Sequence, residues 1–96
     1  MIAQEGASLR VLAPMVIANA RELLILGQAQ LSGHSGQVSQ VDLSAVTEAD
    51  SSAIALLFSW IRQAQAKGRS LTIVQPPASL LSLAELYGVS ELLPLA

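Results

Sequence analysis

The residue types best suited to chemistry cluster in the middle of the chain, where the run Asp50-Ser51-Ser52 begins eight positions after Asp42. Two carboxylates that approach each other can serve as acid and base, and a serine activated by a base can act as a nucleophile. Asp and Ser are also preferred N-cap residues, because their side chains accept hydrogen bonds from the free N–H groups of a helix's first turn. These residues alone therefore leave a capping role and a functional role open.

The rest of the chain does not complete a catalytic set. It has no cysteine, which excludes disulfides, zinc–thiolate sites and thiol nucleophiles. Its one histidine, His34, lies among glycines without a matching nucleophile or metal-ligand pattern, and we predict an exposed loop residue. Asp42 is expected to be partly buried at a strand end, accepting loop hydrogen bonds, and no glycine-rich phosphate loop follows any strand. We therefore predict that the protein is not an enzyme and uses no metal or cofactor.

The composition favours a binding role. In 96 residues, 52% are hydrophobic and only 12% are charged, so one small core cannot bury every apolar side chain. Some are expected on a surface that another protein, or a second copy, covers. The net charge of −2 and the scattered basic residues argue against nucleic acid and against an anionic membrane surface. The N-terminus does not resemble a signal peptide, and the longest nearly apolar run, 53–61, is too short for membrane insertion.

Hydrophobic periodicity predicts three strand–helix pairs in succession. Strands are expected at 8–13, 37–43 and 70–74, helices at 16–31, 51–66 and from 78 until Gly88, and residues 1–7 as a frayed end. Parallel strands require crossover connections. The order therefore predicts one α/β domain over residues 1–96, with a small mixed or partly parallel sheet and crossover helices.

The first two helices are predicted to be amphipathic. In the first, the inward face is expected to contain Ile17, Ala20, Leu24, Gly27 and Leu31, with Ile25 outward. In the second, the inward stripe is expected to contain Ile54, Leu57, Phe58, Ile61 and Ala64, and the opposite face Ala55, Ser59, Arg62, Gln63 and Ala66. Small side chains on that opposite face would let a second protein approach closely. Trp60 lies on the flank, and two interpretations stay open: contact with a neighbouring helix, or an anchor for a partner.

Three segments around the middle helix resemble a known family. Asp42-Leu43-Ser44, then Asp50-Ser51-Ser52-Ala53-Ile54-Ala55-Leu56-Leu57, and a Lys67-Gly68 turn into the next strand are similar to the STAS domain of sulfate transporters and anti-sigma factor antagonists. The similarity runs from about residue 9 to 95 and implies the STAS fold, with its usual first strand short or absent. The family usually has glycine at the position of Ala53. The alanine methyl group would hinder any role that needs the bare backbone at this position close to a partner. In the anti-sigma factor antagonists, a partner kinase phosphorylates the serine that corresponds to Ser51.

The C-terminus resembles a narrower group. Leu83-Ala84-Glu85-Leu86-Tyr87-Gly88-Val89, followed by Leu92-Leu93-Pro94, is similar to the end of the MlaB group. These small STAS proteins belong to the Mla phospholipid-transport system of Gram-negative bacteria and bind the cytoplasmic ATPase subunit of its ABC transporter. The resemblance implies a cytoplasmic accessory subunit, held at the inner membrane through that ATPase. The alternative is an anti-sigma factor antagonist that an anti-sigma kinase switches by phosphorylating Ser51. The predicted partner-binding residues are Ser51, Asp50, Ser52, Ala55, Ser59 and Arg62.

Overall fold

One sheet and three α-helices make up the described part of the chain. The computed structural model describes residues 1–32 and 38–96. Its elements are β1 (Ile2–Glu5), β2 (Ser8–Val11), α1 (Ile17–Ser32), β3 (Gln40–Asp42), α2 (Ser51–Ala66), β4 (Thr72–Val74), α3 (Ala78–Leu86) and a 3₁₀ turn (Ser90–Leu92). The predicted loop position of His34 and the predicted strand start at Gln37 lie outside the described residues.

The sheet has the order β1-β2-β3-β4. β1 and β2 pair antiparallel, whereas β2 with β3 and β3 with β4 pair parallel. α1 connects β2 to β3 and α2 connects β3 to β4, as parallel pairing of consecutive strands requires. The predicted mixed α/β architecture with crossover helices is confirmed.

The N-terminal segment differs from the prediction. Residues 1–7 are predicted above to fray, yet β1 pairs with β2 along its whole length, from Ile2 opposite Val11 to Glu5 opposite Ser8. Gly6 turns the chain with a φ of 58°, which glycine adopts without a steric penalty. The expected frayed end is not observed, and the first strand, expected to be short or absent, is present with four residues. An edge strand needs few apolar residues when its neighbour and one core contact, made by Ile2, hold it.

The sheet buries one face. Leu9, Val41 and Ile73 lie side by side on β2, β3 and β4 and are at most 1% exposed. The register position before them, with Ser8 opposite Gln40, points to the other face of the sheet and is polar. There the Ser8 hydroxyl donates to Gln40 Oε1 at 2.9 Å. Since the buried strand residues share one cluster with the buried residues of the helices, the helices cover the apolar face.

α2 buries a wider arc than the predicted stripe. Of that stripe, the structure buries Ile54, Leu57, Ile61 and Ala64 and leaves Phe58 half-buried. Trp60 is fully buried, and its indole lies against Gly27 of α1, where a Cβ would overlap the ring. Contact with a neighbouring helix is therefore the correct interpretation of Trp60.

α1 is rotated relative to its predicted face. Leu23, Gly27 and Leu31 are its buried residues, while Ala20 and Leu24 are half-buried. Ile17 is 75% exposed, so its predicted inward position is wrong. The reason is geometric: six residues before Leu23, it lies about 120° around the helix from the buried row. In the part of the chain that the structure describes, no helix is both long and apolar enough to cross a bilayer.

The C-terminal tail covers the outer edge of β4. The Ile73 N–H donates to the Pro94 carbonyl at 2.8 Å, and the Ala96 N–H donates to the Ile73 carbonyl at 3.0 Å. Leu93 is buried beneath this pairing. The tail therefore satisfies backbone groups that an open edge strand would leave to solvent or to another chain.

Candidate functional site

The N-termini of α1 and α2 meet at one carboxylate. Asp50 is the N-cap of α2: its Oδ1 accepts the Ser52 N–H at 2.9 Å and also the Ser52 hydroxyl. Its Oδ2 accepts the N–H of Ile17, the first residue of α1, at 2.9 Å. Backbone hydrogen bonds of Met15 to Glu48 and Asp50 hold the two segments side by side. Asp50 therefore caps one helix and fastens it to the start of the other.

These contacts determine the charge state of Asp50. The Ser52 hydroxyl, followed by the Ile17 N–H, holds the pKa of the Asp50 carboxyl below its ordinary value of 3.8. A carboxylate with a lowered pKa is a weak proton acceptor at neutral pH. The electrostatics of Asp50 suit a fixed anion at a helix N-terminus better than a general base.

The two serines of the motif differ in availability. Ser52 is half-buried, and its hydroxyl donates to Asp50. Ser51 is exposed at the first position of α2. Among the described residues, the hydrogen bonds of this turn join Asp50 to Ser52 and Ile17 and leave the Ser51 hydroxyl free. Ser51 therefore presents a hydroxyl to whatever molecule approaches the end of α2.

Four of the predicted site residues form a continuous line on α2, here called the α2 stripe: Ser51, Ala55, Ser59 and Arg62. Their spacing of four, four and three residues places them on one side of the helix. Ala55 and Arg62 are exposed, Ser59 is half-buried, and the Arg62 guanidinium lies 3.5 Å from the Ser59 hydroxyl. The other two predicted site residues, Asp50 and Ser52, form the cap just beyond the N-terminal end of the stripe.

A groove runs between the α2 stripe and α1. Its first part, with a volume of about 390 Å³, is lined by Ile17, Ala20, Arg21, Leu24, Ser52, Ala55, Leu56 and Ser59. Its second part, of about 600 Å³, is lined by Gln28, Ala29, Ser32, Ser59, Arg62 and Gln63. Ser59 borders both parts, so they are continuous; together they are called the α1–α2 groove below.

Asp42 has a local role. Its Oδ1 accepts the Ser44 N–H at 2.8 Å, and the Ser44 backbone and hydroxyl lower the pKa of the Asp42 carboxyl. This matches the expectation of a strand-end carboxylate that accepts loop hydrogen bonds. Within residues 1–32 and 38–96, no three His, Asp or Glu side chains are grouped so that they could hold a metal ion.

The comparison with protein families assigns the chain. The family model described as "Mlab, STAS domain" matches residues 2–94. The chain belongs to the STAS family. The predicted family and fold are confirmed.

Solved structures with the same fold as this STAS domain include two anti-sigma factor antagonists. A candidate anti-sigma factor antagonist from Thermotoga maritima has a TM-score of 0.76 and 13% identity, over 99% of this chain and 83% of its own. The anti-sigma factor antagonist SpoIIAA, in its unphosphorylated form, has a TM-score of 0.64 and 11% identity, over 90% of this chain and 81% of its own. At these identities the likeness establishes the fold alone. No protein of curated function matches the sequence significantly.

The α1 side of the groove is the part of the site that the sequence patterns missed. Every predicted site residue comes from the α2 segment, whereas Ile17, Arg21 and Leu24 of this STAS domain line the groove from α1. A signal for it exists in the sequence. Leu23, Gly27 and Leu31 recur at four-residue spacing and form the close-packed row of α1, although Gly27 and Leu31 also fit the predicted face that contains Ile17.

Proposed function

We propose that this STAS domain is a non-catalytic, cytoplasmic protein-binding subunit that binds and regulates the ATPase of a phospholipid-transporting ABC system. The observation that carries the proposal is the match to the MlaB-type family model over residues 2–94. The ATPase would hold the domain at the inner membrane, since the domain itself is not proposed to insert. The binding residues are the α2 stripe together with Asp50 and Ser52.

The arrangement of the α2 stripe supports a protein contact. Ser51 and Ala55 are exposed and small, so a partner backbone can approach α2 closely at its N-terminal end. Asp50 fixes this end by holding both helices. A rigid surface limits the conformational entropy that is lost on association.

A negative charge at Ser51 would oppose such a contact. A phosphate would add about −1.5 to −2 charge beside the Asp50 carboxylate. A free helix N-terminus tolerates an anion, but a partner packed on Ser51 would have to desolvate it. Modification of Ser51 would therefore release the partner while leaving the fold intact.

Substitution of Ser51 by glutamate tests this proposal. We expect Ser51→Glu to weaken binding to the purified ATPase subunit about tenfold or more, measured by biolayer interferometry, because it buries a carboxylate in the interface. The melting temperature should stay near that of the wild type, since an acidic residue suits the first turn of a helix.

Ser79→Glu provides a matched control, because Ser79 is also an exposed serine in the first turn of a helix, α3. It should bind the ATPase like the wild type. Normal binding by Ser51→Glu would show that the interface lies elsewhere.

An anti-sigma factor antagonist switched at Ser51 is the second candidate, because Asp50-Ser51-Ser52 resembles the motif whose serine is phosphorylated in those proteins. Capture of partners from native cells separates the candidates. Recovery of an ABC ATPase supports the first, whereas recovery of a kinase that transfers phosphate from ATP to Ser51 supports the second.

A further inference from the structure

The α1–α2 groove lies between two helices that run side by side in the same direction. At its start both N-termini bind Asp50, and farther along the Gln63 side chain donates to the Gln28 carbonyl at 3.0 Å. Its lining residues span 17–32 on α1 and 52–63 on α2, so the groove is about 18–24 Å long. A furrow between two aligned helices is the surface on which a third helix packs, because side-chain ridges fit such furrows.

The chemistry of the groove is asymmetric. Ile17, Ala20, Leu24, Ala55 and Leu56 supply apolar surface along its first part. The charged residues that line either part are Arg21 and Arg62, and no lining residue is acidic. Within the described residues, the one ion pair joins Arg10 to Glu5, so neither groove arginine has a carboxylate partner. The groove therefore has local positive charge in a protein whose net charge is −2.

We propose that the α1–α2 groove docks an acidic amphipathic helix of the partner ATPase. This inference rests on the proposed function and adds the kind of segment that binds. The apolar side of the helix would lie against Ile17, Leu24 and Ala55, and carboxylates on its flanks would pair with Arg21 and Arg62. Charge complementarity of this kind orients a helix in a groove and speeds its association.

A second copy of the chain does not supply such a helix. α1 carries Arg21 and Glu22 and is neutral overall, α2 carries Arg62 and no acidic residue, and α3 carries Glu85 alone. None of these helices has two carboxylates to match two arginines. The observations therefore favour a different protein as the occupant over a homodimer.

Removal of the two groove charges is the first test. In the complex with the purified ATPase subunit, Arg21→Gln/Arg62→Gln should raise the Kd about tenfold at low salt and reduce its salt dependence. Lys67→Gln is the control, because Lys67 follows directly after α2 and lines neither part of the groove. Its Kd should equal that of the wild type.

Filling the groove is the second test. Ala55→Trp should raise the Kd for the ATPase about tenfold or more by occupying the space for the partner helix. Ala66→Trp is the control: Ala66 is exposed and lies 11 residues farther on nearly the same side of α2, outside the groove lining. Hydrogen exchange of the ATPase in the complex should protect a helix that carries at least two acidic residues.

The outcomes separate this inference from the proposed function. If wild-type protein does not bind the ATPase, both are overturned. If Ser51→Glu loses binding while the groove variants keep it, the groove proposal is overturned together with the assignment of Ala55 and Arg62 to the binding surface, whereas binding of the ATPase at the Ser51 end stands. If a non-acidic segment is protected, only the groove proposal is overturned. Binding to phosphatidylglycerol vesicles that the groove variants weaken, with unchanged ATPase affinity, would likewise overturn it in favour of a membrane surface.

Discussion

At the scale of single residues, Asp50 uses its two carboxylate oxygens for two helices. Oδ1 accepts from Ser52 in α2 and Oδ2 accepts from Ile17 in α1. An asparagine offers one acceptor oxygen and one donor group, so it would turn a donor toward one of the two N–H groups. Because Asp50 already satisfies this turn, the neighbouring Ser51 hydroxyl is left available to a partner.

We predict that Asp50→Asn destabilises the protein and changes its response to acid. One helix N–H loses its acceptor, which should lower the melting temperature by about 4 °C or more at pH 7. The folded-state pKa of Asp50 lies below its ordinary value. Its contribution is therefore complete above the unfolded pKa, near 3.8, and is lost as the pH falls through the folded pKa. Thermal melts from pH 7 to pH 2 should show a smaller acid-induced loss in the variant than in the wild type.

The control for this prediction is Glu48→Gln. Glu48 is exposed and contributes its backbone carbonyl, not its side chain, to the bond with Met15. Its melting temperature at pH 7 should match that of the wild type. Asp42 also has a lowered pKa, so some acid sensitivity should persist in Asp50→Asn. An unchanged acid profile in Asp50→Asn would mean that Asp50 does not join the two helices in solution.

At the scale of elements, α1 and α2 are held close by a small residue facing a large one. The Trp60 indole lies against Gly27, and no side chain would fit between them. In an isolated helix, glycine costs about 1 kcal/mol relative to alanine. Here the glycine permits the helix contact that buries Trp60 and determines the width of the α1–α2 groove.

Gly27→Ala should therefore destabilise the protein by about 1–3 kcal/mol, despite the better helix propensity of alanine. The new methyl group would overlap the Trp60 ring and push α1 away from α2. Urea denaturation followed by circular dichroism measures the change.

A double-mutant cycle with Trp60→Leu separates packing from propensity. Trp60→Leu should destabilise on its own, but adding Gly27→Ala to it should have little further cost, because the ring is gone. Gly27→Ala that is more stable than the wild type would contradict the close contact.

The sequence predicted those elements whose local pattern and tertiary environment agree. α2 has a capping aspartate before a regular apolar stripe, and its bounds were predicted correctly, while the cap was left open among the Asp and Ser residues of this turn. The buried face of α1 was only partly predicted, because all four positions in 23–26 are apolar, so periodicity alone does not choose a face. Residue Ile17 illustrates the consequence: its exposure depends on where α1 docks, which the Trp60–Gly27 contact decides. Trp60 and Gly27 are 33 positions apart in the sequence, so no local pattern shows that they are in contact.

At the scale of the whole molecule, the two edges of the sheet are covered by different segments. The tail from Pro94 to Ala96 pairs with β4, whereas β1 forms the other edge and covers β2. β1 has one large apolar residue, the half-buried Ile2, which packs against the core, while Gln4 is exposed. The hairpin therefore depends on its pairing with β2 and on one aliphatic contact, which explains why residue patterns did not reveal it.

Ile2→Ala should thus lower the free energy of unfolding by about 1 kcal/mol, less than for a fully buried isoleucine because Ile2 is only half-buried. Gln4→Ala, at an exposed position of the same strand, should change it by less than about 0.5 kcal/mol. Urea denaturation measures both, and size-exclusion chromatography detects self-association, which is expected if loss of Ile2 frees the edge of β2 for pairing between copies.

Equal stabilities for Ile2→Ala and Gln4→Ala would mean that β1 is not anchored to the core, and the N-terminus would then behave as the frayed end that the sequence analysis predicts. If Ile2→Ala self-associates but binds the ATPase with unchanged affinity, the β1 edge lies away from the α2 stripe. We expect this result if the helices bind the partner and the edge of the sheet does not.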